Sequence, residues 1–177
     1  MQERMERLIE LSELPDYLRK VDVAHVTPGV QNICNNIFSA NGIIYLYGVG
    51  VGKSTNAAAL LMSYLYGYRD CATADNVGLY LSAYDLCFHN NNRMRNQPDP
   101  WLTEYMHRIK TCKCLVLDDV FATTTQQDDN LLNTVFGWRQ HCKGVTVFVS
   151  GATNVFESAS RLLLRIDRSA KYKEEFR

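Results

Sequence analysis

Short apolar runs alternate with longer stretches of helical spacing along the chain. Ile43-Ile44-Tyr45-Leu46-Tyr47, Val77 to Leu81, Cys114 to Leu117 and Val145 to Ser150 are nearly continuous in apolar residues and rich in β-branched and aromatic types. That pattern predicts buried strands. Between them, Asn56 to Tyr66 is rich in Ala and Leu and predicts a helix with Gly67 as its C-cap. Ser82-Ala83-Tyr84-Asp85 resembles a capping box that opens another helix. Trp101, Leu102, Tyr105, Met106 and Ile109 have helical spacing, as do Leu131, Leu132, Val135 and Phe136, whose helix Asp128 or Asp129 can cap. A last helix is expected over about 155–164, and residues 166–177 could hold a fifth strand or a short helix.

The front of the chain reads differently. Met5, Leu8, Ile9 and Leu11 sit amid Glu and Arg, so residues 1–14 predict an amphipathic helix that Pro15 stops. Residues 15–29 look irregular, and 30–38 return to helical spacing before the turn Asn41-Gly42. Phe88 to Trp101 is polar, partly basic and without a hydrophobic period, so it reads as a loop. Strands alternating with helices predict an α/β fold, a parallel sheet with helices on both sides in three layers. Ligands of such sheets bind at the carboxyl ends of the strands.

Composition narrows the setting. The 177 residues are enough for one domain with a real core. Lys+Arg and Asp+Glu both number 19, so global charge attracts neither nucleic acid nor membrane, and any DNA contact needs a local patch. No run approaches the ~20 apolar residues that span a bilayer. The N-terminus has no signal-peptide character, and the expected setting is soluble and cytoplasmic. The six cysteines are scattered. Cys112 and Cys114, with His107 and His141-Cys142 nearby, do not have a known zinc spacing, and the start of a strand favours core packing for Cys114.

The chemistry concentrates after the first strand. Gly48-Val49-Gly50-Val51-Gly52-Lys53-Ser54-Thr55 joins that strand to a helix, the layout of a nucleotide-phosphate loop. Glycines let backbone N–H groups curl around phosphate, and the helix N-terminus favours the same anion. Lys53 would reach the β- and γ-phosphates, and Ser54 would hold Mg²⁺. The usual spacing places a glycine where this chain has Tyr47, so the entry turn is irregular. A second signal is the strand that ends in Asp118-Asp119. Asp118 would hold Mg²⁺, and Asp119 would orient or deprotonate an attacking water. Asn154, after the fourth strand and a short turn, could sense the γ-phosphate. Bland readings exist for each: a Gly-rich turn, solvated carboxylates at a strand end, a common Thr-Asn turn. Their order and context together favour a single site for ATP and Mg²⁺.

On these residues the chain resembles a family. The Gly50-Val51-Gly52-Lys53-Ser54 loop, the strand ending Asp118-Asp119 and the segment Phe148 to Asn154 look like the Walker A, Walker B and sensor 1 motifs of AAA+ P-loop ATPases. The Asp-Asp pair, Arg139 and Leu14-Pro15-Asp16-Tyr17 are most similar to the DnaC-type helicase loaders, their phage relatives and the IstB-like transposition ATPases. The resemblance covers about residues 14–166. It implies slow, assembly-dependent ATP hydrolysis, self-assembly with ATP into a homo-oligomer, and a DNA-replication partner such as a replicative helicase. It also implies an arginine that reaches the neighbouring subunit's γ-phosphate, for which Arg161 and Arg165 are candidates and Arg139 is a further interface candidate. A surface role or a salt bridge is the alternative for each arginine.

Residues 15–177 would then be a single ATPase domain with a reduced or absent lid. Arg93 and Arg95 could meet single-stranded DNA phosphates, with Phe88 or Trp101 stacking on bases, against the alternative of a solvated loop with Trp101 in the core. Two rival functions remain open from the sequence. One is a P-loop small-molecule kinase, although no Arg-rich lid is evident. The other is a nucleotide-dependent interaction module with little hydrolysis, including a transposition helper.

Overall fold

The apolar runs pair into one five-stranded sheet in the order β2-β3-β4-β1-β5, with every pairing parallel. The computed structural model of the chain describes residues 2–70, 76–94, 99–120, 125–151 and 161–177. The strands are β1 Gly42–Tyr47, β2 Gly78–Ser82, β3 Cys114–Asp118, β4 Val145–Ser150 and β5 Ala170–Glu175. Tyr47 lies level with Ser150 and Ser82 with Asp118, so the carboxyl ends of neighbouring strands finish together.

The helices are α1 Gln2–Leu11, α2 Pro28–Asn35, α3 Lys53–Gly67, α4 Ala83–Met94, α5 Pro100–Thr111, α6 Gln126–Gln140 and α7 Arg161–Ser169. Alternation along each strand divides the core in two. Leu46, Val116 and Val147 face one layer with Leu60, Leu61 and Leu65 of α3, and with Leu8 from α1. Tyr45, Leu115, Leu117 and Phe148 face the other with Leu86, Ile109, Leu132, Phe136 and Leu163. Burying a Leu or Phe fully contributes about 1.5–3 kcal/mol, so each face holds the sheet with several such contributions. Among the described residues no helix is long and apolar enough to cross a membrane.

Element boundaries depart from the sequence expectation where local chemistry overrides pattern. The first helix ends at Leu11, before Pro15, and Ser12 turns the chain by bonding back to Ile9 O. Residues 15–29 contain two short 3₁₀ turns, Asp16–Leu18 and Val23–His25. Gly67 lies inside α3, and Tyr68 is the C-cap. A Cβ at Gly67 would clash with the Phe38 ring, which accounts for the glycine there. The predicted polar loop begins late, because α4 continues through Phe88 to Met94. Thr125, rather than Asp128 or Asp129, caps α6, its Oγ1 accepting from Asp128 N–H. The described part of the last helix is Arg161–Ser169, and 152–160, where its expected start falls, lie outside the described residues; the tail becomes β5, paired with β1.

Candidate nucleotide-phosphate site

β1 delivers the Gly-rich loop to the carboxyl edge of the sheet. Tyr47 is the last strand residue, and its ring stacks on Tyr45 at 5.0 Å between centroids. Its carbonyl accepts from Phe176 N–H at 2.7 Å. Gly48 then makes the turn, with φ +111°, where the Phe176 carbonyl leaves no space for a Cβ. The irregular spacing thus has a physical reason. The chain leaving β5 runs beside the loop, so the position that must lack a side chain is 48, while Tyr47 still belongs to the strand. Phe176 O also accepts from Gly50 N–H at 2.9 Å, so one loop amide is already paired.

Gly52, at φ +95°, is the N-cap of α3 and provides no side-chain cap, leaving the first-turn N–H groups facing outward for an anion. Asn56, buried in this apolar helix, ties the surroundings together. Its Nδ2 donates to Gly52 O at 2.8 Å, and its Oδ1 accepts from Thr27 N–H at 3.0 Å. The sequence did carry a signal for Asn56, a lone amide in an Ala/Leu run, but the motif reading passed over it. Lys53 Nζ donates to Gly50 O at 2.5 Å, so the ammonium lies over the loop.

β3 brings the carboxylates to the same edge. Asp118 is 5% exposed, and each of its oxygens has a donor. Asp119 N–H donates to Oδ1 at 2.8 Å, and the Tyr80 hydroxyl donates to Oδ2. Burial, and then Asp118, push the Tyr80 phenol far above its ordinary range, so it remains a protonated donor. Ser54 lies near the same hydroxyl and opposes the upward shift of its pKa. Asp119 has φ +55°, in the left-handed region. That turn lets Val120 N–H rejoin the sheet at Val149 O, 2.8 Å away. Burial and the neighbouring Asp118 hold the Asp119 carboxyl above its usual value, and Lys53 opposes them. A cavity of about 400 Å³ opens beside these carboxylates, lined among others by Tyr17, Tyr80, Asp85 and Trp101.

Lys53, Ser54, Asp118 and Asp119 are therefore neighbours, with Tyr80 bonded to Asp118 and close to Ser54. Ser54 and Asp118 are hard oxygen donors of the kind a divalent Mg²⁺ takes. Asn154 and the Arg161 side chain lie outside the described residues. Arg165 sits on the α6–α7 side, where it donates to Asn133 Oδ1 at 2.6 Å and lies 4.6 Å over the Phe136 ring. It borders a cavity of about 740 Å³ with Asp129 and Arg168.

Arg139 corrects the interface expectation. It is 1% exposed and donates to Thr146 Oγ1 and to the carbonyls of Ile109, Cys112 and Val145, so it serves the core. Cys112 and Cys114 are also buried in the core. Among the described residues no group of three or more His, Cys, Asp or Glu gathers to hold a metal. Arg95 and the Arg93 side chain lie outside the described residues. Trp101 stacks with His89 at 3.9 Å and with Tyr105 at 4.0 Å, which commits its ring to the fold.

No protein-family model and no curated protein matches the sequence. Solved structures do match in fold. A DnaI structure is 20% identical with a TM-score of 0.68, covering 97% of this chain and 97% of its own. The DnaC helicase loader is 17% identical with a TM-score of 0.67, covering 92% of this chain and 100% of its own. AMPPCP-bound DnaA from Aquifex aeolicus is 19% identical with a TM-score of 0.67, covering 91% of this chain. The chain spans about half the length of this structure and of a DNA replication initiation factor of the same fold. The chain thus shares with these DnaI, DnaC and DnaA structures its fold, a five-stranded parallel sheet flanked by helices.

Proposed function

We propose that the protein binds ATP with Mg²⁺, hydrolyses it slowly and uses it to self-assemble and act on a DNA-replication partner, most simply as a loader or remodeller of a replicative helicase. The observation that carries this reading is the convergence of Lys53, Ser54, Asp118 and Asp119 at the ends of β1 and β3. The first-turn amides of α3 and the Gly48–Thr55 loop receive the phosphates, and Lys53 swings from Gly50 O to the β- and γ-phosphates. Ser54 and Asp118 hold the cation, which when bound neutralises charge developing on the phosphates. Asp119 accepts a proton from, or orients, the attacking water, with Asn154 beside it.

In the same reading, Arg161 and Arg165 are the candidates to reach a neighbouring subunit's γ-phosphate, supported for Arg165 by its exposure on α7. Single-stranded DNA contact through Arg93 and Arg95 is part of the same reading. It draws support from DnaA bound to AMPPCP and single-stranded DNA, a fold neighbour with a TM-score of 0.68.

The test is the mass in solution with and without a slowly hydrolysed ATP analogue and Mg²⁺, alone and mixed with a replicative helicase. The expected result is a shift to an oligomer, or capture of the helicase, only with nucleotide. A monomer that captures nothing under every condition contradicts the loader reading. Transfer of phosphate to a nucleoside, in place of release to water, would favour a kinase instead.

A further inference from the structure

We propose that Asn56 is a positioning residue for the nucleotide phosphates: its side-chain amide fixes the peptide between Gly52 and Lys53, so that the Lys53 N–H is aimed at the anion. This rests on the reading that the Gly-rich loop receives the phosphates. Asn56 lies near the start of α3, 4% exposed, and Ala57, Ala58, Ala59, Leu60 and Leu61 after it are all buried. An amide in such surroundings costs free energy unless both its ends are bonded. Nδ2 donates to Gly52 O at 2.8 Å. Oδ1 accepts from Thr27 N–H at 3.0 Å and from the Thr27 hydroxyl at 3.3 Å. These partners fix which end of the amide is which, because a backbone carbonyl only accepts and a backbone N–H only donates.

The Gly52 carbonyl therefore takes two donors from one residue, the backbone N–H of Asn56 at 2.9 Å and its Nδ2. Gly52 sits at φ +95° and has no side chain to restrain the peptides on either side of it. In a trans peptide the C=O and the following N–H point in opposite directions, and no described peptide bond is cis. Holding Gly52 O toward the helix thus holds the Lys53 N–H away from it, toward the place where an anion meets the first-turn amides. The other end of Asn56 is anchored as well. Thr27 is the N-cap of α2, its Oγ1 accepting from Val30 N–H at 3.4 Å, so the amide is gripped from both sides. The phosphate-loop motif ends at Ser54, so a role for Asn56 adds to it.

The experiment separates the two ends. Asn56→Ala removes the side-chain donor. Asn56→Ser returns one, because a serine hydroxyl in a helix can donate to the carbonyl four residues back. Neither variant reaches Thr27, so both lose that contact and both leave space. A fluorescent ATP analogue with Mg²⁺ is titrated into the full chain, wild type and each variant, well below their melting transitions. We expect Asn56→Ala to bind at least about three-fold more weakly than wild type, within the range of one neutral hydrogen bond. Asn56→Ser should bind closer to wild type than to Asn56→Ala, although both melt at a lower temperature. Should Asn56→Ala not fold, Asn56→Leu, which fills the volume without a donor, takes its place with the same expectation. A merely structural role makes affinity follow melting temperature, so equal weakening in the alanine and serine variants overturns the proposal. A smaller loss than about three-fold in Asn56→Ala overturns it as well. Either result leaves the phosphate site standing, whereas a wild type that binds no nucleotide overturns that reading and this role with it.

Discussion

Arg139 shows how little a residue's charge says about its place. In the sequence it is a basic residue on a helix, and a surface or interface role is the natural expectation. In the structure its guanidinium ties α5 and its C-cap Cys112 to β4 by bonding three carbonyls and a threonine hydroxyl. A planar fork with five donors fits that set, and an ammonium does not. Arg139→Ala would leave those carbonyls unpaired around a new cavity, so we expect a loss of about 3–5 kcal/mol in denaturant unfolding. A loss below about 1 kcal/mol would mean that the buried guanidinium does little for the fold. Tyr80 was illegible for a related reason: it sits among apolar neighbours, and only the tertiary structure shows that its hydroxyl reaches Asp118. That Lys53, Ser54, Asp118 and Asp119 share one edge of the sheet was legible because their positions are fixed offsets from a strand end and a helix start.

At the scale of elements, the buried parallel strands were the most readable feature. Both faces of the sheet are covered, so β1 to β4 are nearly continuous apolar runs, whereas the edge strand β5 is charged and half-exposed. α4 was the least readable. Its second half carries Phe88, His89 and consecutive asparagines, with no apolar stripe. It is held by partners far along the chain: Asn91 Nδ2 donates to Asp128 Oδ1 at 3.1 Å, and His89 Nδ1 lies 2.7 Å from Asp99 Oδ2. Asp99 is the hinge of this arrangement, since it also caps α5 by accepting from Leu102 N–H at 2.9 Å. That amide first, and then His89, hold its carboxyl below the ordinary value. A carboxyl with a depressed folded-state pKa stabilises the fold above its unfolded pKa, and the contribution is lost as pH falls through the folded value. We therefore expect melting temperature to decline with acid below about pH 4, and Asp99→Asn to flatten that part of the decline. An identical acid profile in the variant would show that the α4–α5 contact does not depend on this charge.

For the whole molecule, the strand order is what makes a site. β1 and β3 are separated in the chain by α3, β2, α4 and α5, and in the sheet by β4 alone. Their carboxyl ends bring a cation, a hydroxyl and two carboxylates to one edge, as the alternation of strands and helices implied. The passage of Phe176 beside Gly48 and Gly50 was not readable, because it depends on how β5 returns to β1. That contact also explains the off-pattern Tyr47.

The central claim is that this edge binds the phosphates of ATP. Calorimetric titration of the full chain with ATP and Mg²⁺, wild type beside Lys53→Ala, tests it most directly. The account predicts saturable binding at one site in wild type and a loss of at least about 100-fold in affinity in the variant, the order expected when a charge-assisted bond to phosphate of about 3 kcal/mol is removed. Equal affinity in the two proteins, or no binding in either, would contradict it.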